Sequence, residues 1–168
     1  LGMAGYHSML ALEHDMIGIC MTSCGPKMLP TYGSEPRLGT NPIAVAAPAG
    51  NEHPFVFDAA TTVMADNKIK IARRLGALLP PGVLADENGT PIMEPILPTE
   101  QFRMLPLGAM REMGSHKGYG LACVVDILGG ILSGGGYGFL NGRGVHEHFL
   151  AAYSIEAFGP IEEFKETM

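Results

Sequence analysis

A serine, a histidine and a lysine stand in a row within Gly114-Ser115-His116-Lys117-Gly118-Tyr119-Gly120-Leu121. Ser115 is of the type that caps helices, and apolar residues follow at helical spacing: Leu121, Val124, Val125, Leu128, Ile131 and Leu132. The pattern predicts a helix with His116 and Lys117 in its first turn. Free backbone N–H groups and the positive end of the helix dipole collect there, so the spot favours an anion. Lys117 adds a full charge, and Gly118 and Gly120 leave the approach open. The chemistry is a grip on a phosphate or a carboxylate. A capped core helix with a lysine near its start reads the same way.

Three other sets of residues could do chemistry. Asp58 ends the apolar run Pro54 to Phe57 and precedes a helix-forming stretch. A carboxylate there can cap a helix through Ala60 or Thr61, or hold the tautomer of a catalytic histidine. Gly39-Thr40-Asn41-Pro42 offers donors and acceptors just before a strand, as a turn or as the polar lining of a pocket. His146 and His148 are two apart, so a strand would point both to one face. That could begin a metal site and a small metal-dependent hydrolase. No Asp, Glu, Cys or His partner has a matching spacing, and Cys20 and Cys24 do not form a zinc pattern, so no metal is assigned. The glycines at 134–138 follow a helix rather than a strand, which is the wrong context for a Rossmann fingerprint, and no Walker sequence occurs.

These residues need elements to hold them. Residues 3–14 suit a short helix, and Ile17 to Thr22 a strand. A Pro- and Gly-rich loop runs to Gly39, and Pro42 to Ala47 and Pro54 to Phe57 read as buried strands. Thr61 to Leu75 suits a helix with Met64, Ile71 and Leu75 on one side and Gly76 as its C-cap; Lys68, Lys70, Arg73 and Arg74 form its solvated face. Residues 77–108 read as an irregular excursion. After the helix that starts at Ser115, His148 to Tyr153 reads as a strand, and Pro160 opens a last helix with Glu162 and Glu163 in its first turn. Strands and helices interleave, so the expected class is α/β, layered in the α+β manner, with a mixed sheet flanked by helices.

The chain of 168 residues suits one domain with a real core. Its net charge of −6, with scattered basic residues, argues against a nucleic-acid partner. No apolar run reaches the length of a membrane span. The three cysteines have no framework spacing, which fits the cytoplasm. The first residue is Leu1, and Phe164 to Met168 reads as part of a helix, so the stretch is expected to be an excerpt of a longer chain.

Taken in order, several words resemble one family. They are Gly5-Tyr6, Ile17 to Thr22, Leu38 to Ala44, Phe57-Asp58-Ala59-Ala60-Thr61, Lys68-Ile69, Leu105 to Gly108, Gly114 to Leu121, Arg143-Gly144 and Ala157 to Pro160. They resemble the nicotinamide-dependent malate/L-lactate dehydrogenase family of non-Rossmann type, whose relatives include ureidoglycolate dehydrogenase, sulfolactate dehydrogenase and diketogulonate reductase. The resemblance implies reversible hydride transfer between NAD or NADP and a small 2-hydroxy or 2-keto acid, by an oxidoreductase that is a homodimer. It implies that residues 1–168 are a single non-Rossmann cofactor-binding domain. By position, Phe55, Phe57, Asp58, Ala59 and Ala60 would line the cofactor beside Thr22, Ser23 and Cys24, with His116, Lys117 and Gly118 at its phosphates. Asp58 falls where some relatives place the partner of the catalytic histidine. Ser23-Cys24 departs from the Asn-Ser common in relatives. The family's acid/base histidines have no match here: one belongs to a helical N-terminal domain, and the other would fall just before Leu1. A different class of function, an anion-binding module without catalysis, shares the same local features.

Overall fold

In the computed structural model, residues 2–140 and 146–168 are described. Arg143-Gly144, part of the family resemblance, lies outside them. Four strands form the main sheet: β1 (Met16–Ser23), β2 (Ile43–Ala47), β3 (Phe55–Ala59) and, after the intervening elements, a last strand (Glu147–Ser154). The order is β3-β2-β1-last, and every pair is antiparallel. The sheet is therefore not mixed as expected, although the layered α/β class holds. Parallel neighbours need a crossover, usually helical. Here the long helices fall between β3 and the last strand, which are not neighbours.

Helix α1 (Ala4–Met9) runs into a 3₁₀ turn (Leu10–His14) and packs across β1, β2 and β3. Gly18 makes this possible: a Cβ there would stand 1.9 Å from the Ser8 carbonyl oxygen. Helix α2 (Asp66–Leu75) begins later than the sequence pattern suggests. Residues before it are taken by extended contacts, with Thr61 bonded to Thr40 and Val63 to Leu105. The buried face also differs from the expected one. Ile69 is fully buried, while Ile71 and Leu75 are exposed. Gly76 ends the helix at φ 65°, as expected. Lys68, Lys70, Arg73 and Arg74 are exposed, as a solvated face requires.

The excursion at 77–108 has order of its own. Strands β4 (Leu84–Ala85) and β5 (Arg103–Met104) pair antiparallel and pack with Ile69, Leu79 and Val83. Smaller clusters form around Met28, Leu38 and Ala122, and around Leu29, Ala85 and Leu105. Helix α3 (Ser115–Val125) continues as a π-helical segment (Asp126–Ile131). The last strand, now β6, leads through a 3₁₀ turn to α4 (Ile161–Thr167), with Pro160 at its N-cap.

Strand β3 departs from expectation in one respect. Phe55, Val56 and Phe57 are 51%, 42% and 46% exposed, although the run reads as buried. It is one edge of the sheet among the described residues, and an apolar run does not reveal whether anything covers it.

Candidate cofactor site

Alternation along the strands decides which predicted residues can meet. Thr22 faces His148 in the β1–β6 register, and Cys20 faces Leu150. All four line one cleft of about 1140 Å³, together with Cys24, Thr40 and, from α1, His7. The Thr22 hydroxyl lies 3.0 Å from His148 Nδ1. Burial lowers the His148 pKa, and the neighbouring His146 and His7 push it the same way against Glu147. Burial raises the Cys24 thiol, more than the Thr40 and Asn41 hydrogen bonds and the Lys27 charge lower it.

The far wall of the cleft is charged. Lys27 and Lys70 both pair with Asp66 Oδ2, Lys70 at 2.6 Å. Burial works to raise the Asp66 carboxyl, but the two lysines outweigh it and hold its pKa below the ordinary value. Arg103 completes this wall. His7 Nε2, Asp66 Oδ1 and Arg103 Nε are buried with no hydrogen-bond partner, and all three residues line the cleft. His146 lines it too, but no group of three His, Cys, Asp or Glu side chains suited to a metal occurs among the described residues.

Ser23 is on the other side of β1. It is fully buried, and its hydroxyl donates to Asp126 at 2.6 Å, so it does not reach the cleft. Strand β3 divides in the same way. Asp58 stands in the row Asp58–Ala44–Cys20–Leu150 across the sheet, whereas Phe57 stands in the row Phe57–Val45–Ile19–Ala151. Phe55, Phe57 and Ala59 thus alternate with Asp58 and cannot all meet one flat ligand face. Asp58 does not cap α2. Its Oδ2 accepts the Gly5 N–H at 2.8 Å and so caps the first turn of α1 across the sheet.

The third set, His116, Lys117 and Gly118, lies on α3 and outside the cleft lining. Gly114, not Ser115, is the N-cap; Ser115 is the first helical residue, and its buried hydroxyl has no partner. The N–H of Ser115 donates to Met110 O and that of Lys117 to Gly114 O. The expected supply of free backbone donors is thereby reduced, because the preceding turn folds back on the helix start. His116 and Lys117 remain exposed at the helix start.

Backbone bonds join these sets. Thr61 N–H donates to Thr40 O at 2.9 Å, and Leu107 N–H donates to Thr61 O at 2.8 Å. Gly118 then seats α3 on Leu107, where a Cβ would come within 2.4 Å of backbone N and O. Sequence reasoning missed the far wall of the cleft. Lys70 reads from sequence only as solvated, and nothing in the spacing of Lys27, Asp66 and Arg103 brings them together.

The sequence profile described as Malate/L-lactate dehydrogenase matches residues 1–168. A malate dehydrogenase from Pyrococcus abyssi is 44% identical over 176 residues, covering 99% of this chain and 48% of that protein. An L-sulfolactate dehydrogenase from Methanocaldococcus jannaschii is 42% identical over 130 residues, covering 77% of this chain and 36% of that protein. The crystal structure of malate dehydrogenase from Entamoeba histolytica superimposes with a TM-score of 0.84 at 33% identity, covering 98% of this chain and 49% of that one. The chain spans about half the length, or less, of the relatives it matches.

Proposed function

The chain belongs to the malate/L-lactate dehydrogenase family, and from that premise we propose that residues 1–168 form the cofactor-binding domain of an oxidoreductase acting on small 2-hydroxy and 2-keto acids. The observation that carries this reading is the backbone ladder Thr40–Thr61–Leu107, on which Gly118 seats α3. It ties the cleft residue Thr40 to the helix that carries the exposed His116 and Lys117.

The residues present suit a nicotinamide dinucleotide, NAD or NADP. Lys117 and His116 supply cationic and donor groups for phosphates, and Thr22 and Cys24 in the cleft supply hydrogen bonds and packing. The unpartnered Nε2 of His7 offers one more polar contact inside the cleft. When bound, the nicotinamide ring would give or accept the hydride. These residues bind and orient it. By resemblance, the family's acid/base histidines have no counterpart at matching positions here, so proton transfer is not assigned to this stretch. Asp58 fixes the start of α1 through one carboxylate oxygen, and its other oxygen makes no hydrogen bond among the described residues. That free oxygen suits the proposed role of holding a catalytic histidine.

Exposed apolar side chains on β3 (Phe55, Phe57) and on α3 and its extension (Leu121, Val124, Ile127, Ile131) support a homodimer. No helix among the described residues is long and apolar enough to cross a membrane. The free cysteines suit a reducing cytoplasm.

Calorimetric titration of NADH and NADPH tests the reading. Lys117→Ala should weaken binding by about 1.5–3 kcal/mol, or roughly ten- to hundredfold, the value of one charge-assisted contact. Equal affinity of parent and variant for both cofactors would remove Lys117 from the site.

A further inference from the structure

Outside the cleft, Asp126 accepts three hydrogen bonds. It is 2% exposed and forms no salt bridge among the described residues. Its Oδ1 accepts the Ser23 hydroxyl at 2.6 Å and the Asn41 amide at 2.9 Å, and its Oδ2 accepts the Gly138 N–H at 3.3 Å. Asn41 is fully buried and sits at a left-handed φ of 34°, a conformation that asparagine tolerates better than most residues. It also donates to Ala122 O at 3.0 Å, and its own oxygen accepts the Cys24 N–H at 3.0 Å.

A buried carboxylate with no cation is costly unless donors surround it. An apolar residue would fill this position of a core helix more cheaply. The three donors come from three separate segments: the end of β1, the loop before β2 and the turn after the π-helical segment. Two of these segments carry cleft residues next door in sequence. Thr22 and Cys24 flank Ser23, and Thr40 precedes Asn41.

Asp126 also stands where α3 changes to π geometry, and such bulges are frequent at functional sites. Gly130 lets the segment close on the β1 end; its Cβ would lie 3.3 Å from Ser23 Oγ and 2.2 Å from Gly136 O. Lys117 lies nine residues back on the same rod, roughly 14 Å away at the helical rise. One group therefore fixes one end of α3 against the loops of the cleft, while the other end carries His116 and Lys117.

We propose that Asp126 is a positioning residue of the cofactor site, which through Ser23 and Asn41 holds Thr22, Cys24 and Thr40 in register with α3. The proposal rests on the reading that these groups bind the dinucleotide. The test is the alkylation rate of each cysteine in the 168-residue chain, followed by mass spectrometry with and without NADH or NADPH. Cys24 lines the cleft and its N–H is one link of the network; Cys20 lines the cleft too but lies in mid-strand with no bond to the network, and Cys123 is on α3.

In Asp126→Asn the amide places a donor against donors. Cys24 should then react about tenfold faster, the effect of losing one good buried hydrogen bond, while Cys20 keeps its rate. Cofactor should protect Cys24 in the parent and protect it less in the variant. The Asp126 charge itself restrains both Cys24 and Cys123. Ser23→Ala keeps that charge, loses one bond and serves if the first variant does not fold. Faster Cys24 with unchanged Cys123 in Ser23→Ala supports positioning. All three cysteines accelerating together, or Cys24 unchanged in both variants, overturns it. If neither cofactor slows Cys24 in the parent chain, the cofactor reading falls and takes the proposal with it. If protection is equal in parent and variants, only the positioning role falls.

Discussion

The two faces of the sheet at the end of β1 are built on opposite plans. On one face Ser23 is sealed, and its hydroxyl, the Asn41 amide and the Asp126 carboxylate are joined by short bonds. On the other, Thr22 opens onto a cleft in which a histidine nitrogen, a carboxylate oxygen and an arginine nitrogen have no partner. Neighbouring residues of one strand thus serve different ends. The sealed face spends its polar groups on geometry. The open face leaves polar groups unspent, and those are the groups a ligand can use. The contrast separates effects on stability from effects on binding, and substitutions can pull the two apart.

The largest effect on stability should come from the sealed side. Gly118→Ala puts a Cβ within 2.4 Å of the Leu107 backbone, which is not a flexible side-chain end and cannot swing away. Overpacking of this kind costs about 1–3 kcal/mol or more. Urea denaturation should show that loss. A variant as stable as the parent would mean that α3 is not seated on Leu107, and the ladder argument would lose its last step.

Asp58→Asn probes the open side and should do the reverse. Asparagine keeps an acceptor for the Gly5 N–H, so the α1 cap survives and stability changes little. What disappears is the charge that would hold a histidine and stabilise its imidazolium. In the active enzyme kcat should fall by roughly ten- to hundredfold, the worth of one charge-assisted bond. A kcat within about a factor of two of the parent would leave Asp58 with only the task of anchoring α1.

How far the sequence could be read follows from the same contrast. Strands β1, β2 and β6 and the α3 start were readable because period and turn residues are local signals. His116 and Lys117 in a first turn followed from the apolar series behind them. The start of α2 is not legible locally, because Thr61 and Val63 are claimed by Thr40 and Leu105, partners distant in sequence. Strand β3 reads as buried because its apolar side chains do not announce that they form an edge. The candidate set Thr22, Ser23, Cys24 came as one block, yet a strand alternates, and burial sends the middle residue to Asp126. Lys27, Asp66, Lys70 and Arg103 come from separate segments that only the fold brings together.

The smallest expected effect belongs to His148, and it tests whether the open face is electrostatically coupled. Its pKa lies below the ordinary 6.5, first through partial desolvation and then through the neighbouring His146 and His7, against the opposing charge of Glu147. The folded chain therefore binds fewer protons at this site than the unfolded chain does between the two pKa values. Stability must rise with pH across that window, and it is lost as pH falls from the unfolded value through the folded one. Glutamine at 148 keeps a partner for the Thr22 hydroxyl but does not titrate. His148→Gln should therefore flatten the dependence of Tm on pH between the acid side of 6.5 and neutrality, while leaving Tm at neutral pH close to that of the parent. Because His148 is exposed, the difference in slope should be modest. Parallel Tm profiles for parent and variant would mean that the three histidines do not sense one another in the cleft.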